Sequence, residues 1–131
     1  MFGDRPIFGN AEYKIDSKGR LYIPKFSYVE PDDELIIQKG EDNYYVIINW
    51  SKIKKEIEQL EKENKKDKIE LITHSIVSLV KVDKMRRIIF QPHESFTIDR
   101  TVFMHGNYDS IQIFPSKKDY EEHIERLKKN L

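Results

Sequence analysis

The sequence predicts an α+β fold, mainly β, in which one structural unit occurs twice in tandem. Runs of β-branched and aromatic residues between turn residues predict strands over much of the chain. Two charged segments carry apolar residues every three or four positions, which is typical of amphipathic helices. A D-x-x-x-R motif at residues 16–20 recurs at residues 83–87. These observations predict two related halves, residues 1–66 and residues 67–131.

The first half is predicted to contain four strands and a helix. Polar residues 16–20 form a turn between the first two strands, and Gly40 begins a hairpin turn between the next two because glycine tolerates positive φ. From Ser51 the apolar period lengthens to about 3.6 residues, which predicts a helix that ends near Asn64. The predicted strands are residues 13–15, 21–23, 35–37 and 44–48.

The second half follows the same order after a charged loop at residues 65–68. A short helix from Ile69 precedes its strands, and Ser116 opens a final helix with Asp119 in a position typical of a capping box. The predicted strands are residues 77–82, 87–90, 101–104 and 110–114. The apolar stripes of the two long helices, Ile53, Ile57 and Leu60 and then Tyr120, Ile124 and Leu127, have the same spacing as the two motifs.

Composition narrows the class of protein. The chain has 131 residues and no cysteine, which fits one domain or two small intertwined halves and excludes disulfides and a thiol nucleophile. Its apolar runs are far shorter than the about 20 residues that span a bilayer, and it shows no secretory signal. We therefore expect a cytoplasmic protein with no membrane partner. The 23 basic residues balance 23 acidic ones, which at first sight counts against a nucleic-acid partner.

Basic residues nevertheless gather around both D-x-x-x-R motifs, whereas acidic residues concentrate in residues 30–42. Around the first motif lie Lys14, Lys18, Arg20 and Lys25, opposed by Asp16. Around the second lie Lys81, Lys84, Arg86 and Arg87, opposed by Asp83. Two local surpluses at equivalent positions predict a bipartite basic surface for DNA.

The aspartate and arginine of each motif have two readings. Asp16 can accept the backbone N–H groups of a tight turn, and Arg20 can reach back to it, which makes the pair a structural staple. Alternatively, Arg20 projects its planar fork of donors to a phosphate or a guanine edge. Both roles are compatible, because the carboxylate would orient the arginine for its ligand.

Residues 14–24, KIDSKGRLYIP, closely match the D-x-K-G-R-[apolar]-x-[apolar]-P signature of the AbrB/SpoVT superfamily. A tandem pair of such units, each trailed by a charged helix, resembles the MraZ family of bacterial transcriptional regulators. The resemblance covers essentially the whole chain. It implies two swapped-hairpin halves that form a pseudo-twofold β-barrel with flanking helices. It also implies binding to repeated promoter boxes of division and cell-wall genes, a ring-shaped homo-oligomer and association with the nucleoid.

The second motif departs from the signature. Arg86 stands where the first copy has Gly19, and a turn that needs positive φ would cost about 1 kcal/mol or more there. The second turn is therefore predicted to be remodelled. Pro92, which would close the motif, comes one residue later than Pro24.

The motifs and the resemblance together give the expected site. The predicted DNA-binding residues are Lys14, Lys18, Arg20, Lys84, Arg86 and Arg87, and the predicted turn-orienting residues are Asp16, Gly19 and Asp83. Lysines would contact phosphates and arginines would read base edges of double-stranded DNA.

Two other classes of function stay open. One is an AbrB-like antitoxin or protein-interaction module, in which the same barrel grips a protein partner. The other is an enzyme, which is disfavoured because no nucleophile and base pair up in the motifs, and the four histidines lack metal-ligand spacing. We therefore expect no catalytic residue, no metal and no cofactor.

Overall fold

A computed structural model of the chain describes residues 5–90 and 96–131, in which a six-stranded sheet lies between a layer of helices and a two-stranded ribbon. The strands are β1 (Ile7–Lys14), β2 (Arg20–Tyr22), β3 (Glu34–Lys39), β4 (Tyr45–Asn49), β5 (Ile76–Lys81), β6 (Arg87–Ile89), β7 (Thr101–Tyr108) and β8 (Ile111–Phe114). The helices are α1 (Trp50–Lys62), α2 (Lys66–Ser75) and α3 (Lys117–Lys129), and a 3-10 turn spans Lys25–Ser27. The α+β class, mainly β, is confirmed.

The large sheet has the order β1-β7-β8-β4-β3-β5, and the ribbon pairs β2 with β6. Every pairing is antiparallel. Within residues 5–90 and 96–131 neither sheet closes on itself, and β1 and β5 form the edges of the large one. The closed barrel implied by the resemblance is therefore not observed as a continuous sheet.

The main core lies between the ribbon and the large sheet. Leu21 of β2 and Ile88 of β6 point inward and are fully buried or nearly so, together with Ile15 and Ile47. The rings of Tyr45, Phe90 and Phe96 meet edge to face at 5.2 to 6.1 Å, the arrangement that aromatic quadrupoles prefer. Burial of this apolar surface holds the two-stranded ribbon, which would be marginal alone, in a fixed position.

The helices cover the opposite face of the large sheet. Ile53 of α1 packs on Ile36 and Ile48, and Tyr120 of α3 stacks on Phe103 with ring centroids 4.9 Å apart. The N-terminal part of each apolar stripe therefore packs on the sheet of the same chain, whereas Leu127 at the end of the second stripe is 49% exposed. No helix in the described ranges is long and apolar enough to cross a membrane.

Strands from the two predicted halves are interleaved in both sheets. β1 pairs with β7, β2 with β6, β3 with β5 and β4 with β8. Among the strands of the described residues, only the hairpins β3–β4 and β7–β8 pair strands that are adjacent in the chain. Residues before and after position 66 therefore share one core.

Each long helix also contacts a distant hairpin turn. Lys52 of α1 forms an ion pair with Asp109 in the β7–β8 turn. Asp119 of α3 accepts a hydrogen bond from Asn43 Nδ2 in the β3–β4 turn at 3.0 Å, and Arg126 pairs with Asp42 in the same turn. These contacts tie each helix to strands from the other end of the chain.

Candidate nucleic-acid interface

The first D-x-x-x-R turn, called turn 1 (residues 16–20), is held by the side chain of Asp16. Its Oδ1 accepts hydrogen bonds from the backbone N–H groups of Lys18 and Arg20, at 2.9 and 2.8 Å. Its Oδ2 accepts a bond from Arg20 Nε at 2.7 Å. Gly19, with φ of 77°, donates to the Asp16 carbonyl and closes the turn. The carboxylate thus fixes both the turn and the plane of the Arg20 guanidinium.

The second turn, called turn 2 (residues 83–87), repeats this geometry. Asp83 Oδ1 accepts from the backbone N–H groups of Met85 and Arg87 at 2.8 and 2.9 Å, and Oδ2 accepts from Arg87 Nε at 2.8 Å. The predicted remodelling is wrong, because Arg86 adopts the left-handed conformation itself, with φ of 60°. The bonds to Asp83 offset a backbone strain of about 1 kcal/mol, as does the bond that the Arg86 carbonyl accepts from Ile23.

Both turn carboxylates are held in the ionised form. The backbone N–H of Arg20, with its side chain and the N–H of Lys18, lowers the pKa of Asp16 below 3.8 despite an opposing desolvation. Desolvation raises the pKa of Asp83, but the bonds from Arg87 and Met85 outweigh it and the pKa is lowered. The arginines are therefore paired with charged acceptors at neutral pH.

The ribbon places the two turns at its opposite ends. The Gly19 carbonyl accepts from Phe90 N–H, just after β6, and the Arg86 carbonyl accepts from Ile23 N–H, just after β2, both at 2.8 Å. Four residue-to-residue steps along β2 lead from Gly19 to Ile23, a distance of about 13 Å. The two turns thus lie at the two ends of a short two-stranded platform.

The outer face of the ribbon carries alternating cationic and apolar side chains. Arg20 pairs across the strands with Ile89, and Tyr22 pairs with Arg87, while Leu21 and Ile88 point into the core. The guanidinium carbon of Arg87 lies 5.8 Å from the centre of the Tyr22 ring, within the range of a cation–π contact. Arg20 and Arg87 therefore share one face of the molecule.

The other predicted site residues do not all lie on this face, because Lys14 alternates with Tyr13 and shares the helix-covered side of the large sheet with Glu12. Lys14 at the end of β1, Lys18 in turn 1 and Lys84 in turn 2 are exposed. Arg86 is partly exposed and lies 3.8 Å from Glu30, so one acidic residue of the segment 30–42 reaches turn 2. Lys25, which the sequence groups with the first motif, lies beside Arg86 of turn 2 instead.

Sequence reasoning missed the apolar part of this surface. Tyr22 and Ile89 are 41% and 56% exposed, and Met85 at the tip of turn 2 is 57% exposed. The signal for the first two was present, since residues that alternate with an inward Leu21 or Ile88 must point outward. Met85 occupies the position in turn 2 that Lys18 occupies in turn 1.

His123 lies on α3 and His105 lies beside it, apart from the two turns. His123 of α3 is buried against the rings of Tyr44 and Phe114, and His105 Nδ1 lies 2.8 Å from Asn10 Oδ1. Burial, and then the nearby His123, lowers the pKa of His105. Across the described ranges, no three His, Asp or Glu side chains converge to hold a metal ion. His93 and Pro92 lie outside the described residues.

Comparison with known proteins identifies relatives along nearly the whole chain. Over 124 residues it is 31% identical to a transcriptional regulator MraZ of Caldanaerobacter subterraneus subsp. tengcongensis, a match that covers 89% of this chain and 85% of the relative. It is 29% identical over the same length to a transcriptional regulator MraZ of Thermoanaerobacter pseudethanolicus, with the same coverage. No family model matches the sequence. The identity and coverage establish that the chain belongs to the MraZ family.

Proposed function

We propose that this chain is a sequence-specific DNA-binding transcriptional regulator that contacts duplex DNA through turn 1, turn 2 and the outer face of the β2–β6 ribbon. The observation that carries the proposal is the identical bonding of the two turns, each of which fixes an arginine at one end of the ribbon. A major groove about 12 Å wide admits a two-stranded ribbon. The names of the relatives support the regulatory role.

The roles of the side chains follow from their chemistry. Asp16 and Asp83 hold the Nε atoms of Arg20 and Arg87. The terminal nitrogens of these arginines can therefore donate the pair of hydrogen bonds that guanine O6 and N7 accept. Lys14, Lys18, Lys84 and Arg86 would contact phosphates and set the position of the protein on the duplex. Asp16, Gly19 and Asp83 act as positioning residues.

The repeated organisation is part of the proposal. Residues 1–66 and 67–131 would be two AbrB/SpoVT-like swapped-hairpin halves related by a pseudo-twofold axis. The strand registers support it, because Lys14 opposite Thr101 corresponds to Lys81 opposite Glu34. The contacts of the helices support it too: Lys52 bonds Asp109, and the equivalent position in α3, Asp119, bonds Asn43.

The targets and the assembly come from the family resemblance. The regulator would act in the cytoplasm at the nucleoid, on short repeated boxes upstream of division and cell-wall genes. A ring-shaped homo-oligomer would occupy several boxes at once. Zero net charge makes each contact weak, and linked sites would raise the overall affinity without any new contact.

A mobility-shift assay across a salt series tests this function. The probe is the DNA immediately upstream of the chain's own coding sequence, and binding should weaken steeply as salt rises. Arg20→Ala and Arg87→Ala should each weaken binding by about 10- to 100-fold, the value of a bidentate base contact of about 1–3 kcal/mol. Arg126→Ala, on the helix layer, is the matched control and should bind as the wild type does.

Two results would contradict the assignment. Wild-type affinity in both Arg20→Ala and Arg87→Ala would remove the DNA site from the turns. No binding at any salt concentration would favour a protein-interaction module, a reading that the contact between Glu30 and Arg86 also supports because it reduces the positive charge of turn 2.

A further inference from the structure

The two ends of the ribbon have the same backbone geometry and different chemistry. The N–H of Lys18 in turn 1 and the N–H of Met85 in turn 2 bind their aspartates in the same way, at 2.9 and 2.8 Å. Turn 1 thus presents an ammonium group at its tip, and turn 2 presents a thioether that is 57% exposed. A methionine at this exposed position cannot make the ionic contact with a phosphate that the lysine at the same position of turn 1 can make.

Met85 is part of an open cavity with an aromatic wall. The cavity has a volume of about 270 Å³ and is lined by Tyr13, Tyr22, Ile23, Lys25, Met85 and Arg86. The rings of Tyr13 and Tyr22 lie 6.1 Å apart, and the Arg87 guanidinium lies over Tyr22. Apolar atoms therefore form the wall of the cavity, and cations stand at its margin.

We propose that this cavity receives the 5-methyl group of a thymine in the major groove, so that turn 2 reads a thymine where turn 1 makes a phosphate contact. The inference rests on the proposed function. The methyl group is the one apolar feature that a base pair presents in the major groove, and apolar side chains recognise it there. Tyr22 and Met85 supply that apolar contact, and Arg87 beside them remains available for the neighbouring base.

The charges around the cavity favour DNA over a protein side chain as its occupant. Lys25 and Arg86 line it directly, and Arg87 approaches from β6. Glu30 offsets part of the Arg86 charge, which leaves a local surplus of cations. A thymine methyl group is an apolar group carried on a polyanion. The methyl group can contact the apolar wall of the cavity while the phosphates of the DNA attract the cations at its margin. The recognised sequence would then be non-palindromic, with a thymine at one end of the contact only.

Replacement of thymine by uracil isolates the methyl group. Two probes of the same upstream DNA are made, one with thymidine triphosphate and one with deoxyuridine triphosphate. The wild-type protein should bind the thymine probe roughly fourfold more tightly for each methyl group that it buries. Met85→Lys, which gives turn 2 the residue of turn 1, should bind both probes equally. The reciprocal control, Lys18→Met, should keep the preference for thymine and show a shallower salt dependence.

The possible results of this binding experiment distinguish the thymine-methyl site from the DNA-binding function. Equal affinity of the wild type for both probes overturns the methyl site and leaves the DNA-binding function standing. A preference that persists in Met85→Lys also overturns it, provided that circular dichroism shows the variant folded; Tyr22→Ser is the second variant if it is not. Failure to bind either probe overturns the function and this inference together, and a protein partner then becomes the occupant to seek.

Discussion

At the scale of single residues, one carboxylate in each motif does two things. Asp16 and Asp83 satisfy the backbone of their turns and fix the arginine four positions later. The same bonds explain why turn 2 tolerates Arg86 at a left-handed φ. A residue that is unfavourable by its own conformational preference is accepted where its neighbours determine the backbone.

The lowered pKa values of these carboxylates predict an acid-dependent loss of stability. Because the folded pKa lies below the unfolded value of about 3.8, the stabilisation is complete above that value and is lost as the pH falls through the folded pKa. Asp16→Asn and Asp83→Asn should each lower the free energy of unfolding at neutral pH. Each should also weaken the decrease of this free energy with falling pH in the acid range, a decrease called here the acid limb. Urea unfolding monitored by circular dichroism across the acid range measures it.

The two variants serve as controls for one another, since their turns have the same bonds. An acid limb as steep in both variants as in the wild type would show that the turn carboxylates do not carry the effect.

Much of the site could be predicted at this scale, because the D-x-x-x-R spacing is local. The turns and their arginines depend on residues within four positions of each other. The neighbourhood of Lys25 could not be predicted in this way. Its position beside Met85 and Arg86 depends on how β2 pairs with β6, and a single sequence does not state that register.

At the scale of elements, the sequence predicts best the strands whose residues favour a pleated sheet. The apolar runs of β3, β4 and β8 are recognised because β-branched residues dominate them. β1 is longer than predicted: it begins at Ile7 and contains Gly9, Asn10 and Ala11, which have low strand preference. Pairing with β7 along all eight residues fixes it, so tertiary contacts override local preference.

The close approach of β1 and β7 predicts the effect of one added carbon. Gly9 lies opposite Gly106, and a Cβ at Gly106 would lie 2.9 Å from the backbone oxygen of Ile7. Gly106→Ala should therefore lower the free energy of unfolding by about 1–3 kcal/mol, since the strand backbone must move to make room. Chemical denaturation measures the change.

Asn107→Ala, at the exposed next position of β7, is the matched control and should unfold close to the wild type. Wild-type stability in Gly106→Ala would mean that β1 is not held against β7 at that point.

At the scale of the whole molecule, the two predicted halves, residues 1–66 and 67–131, supply each other with strand partners. The strand of one half finds its neighbour in the other at β1–β7, β2–β6, β4–β8 and β3–β5. The length of the chain allowed one domain or two small intertwined halves and did not distinguish between them. The difference lies in long-range pairing, which no local pattern encodes.

This dependence predicts how fragments behave. Residues 1–66 alone would lack β5, β6, β7 and β8, each of which pairs with one of its four strands, so we expect the monomeric fragment to be unfolded. Residues 67–131 should be unfolded for the same reason, and mixing the two should restore the far-ultraviolet circular dichroism of the intact chain. A monomeric fragment that unfolds cooperatively by itself would show that the halves are independent.

The interleaved strands also have a consequence for synthesis on the ribosome. Ile7 at the start of β1 pairs with Tyr108 at the end of β7, far along the sequence. The β3–β4 hairpin can form early, but the apolar residues of β1 and β2 stay uncovered until β6 and β7 have left the exit tunnel. The strands β6 and β7 must therefore be synthesised before the surface that carries Arg20 is complete, and a nascent chain that stalls earlier exposes unpaired strand edges that can aggregate.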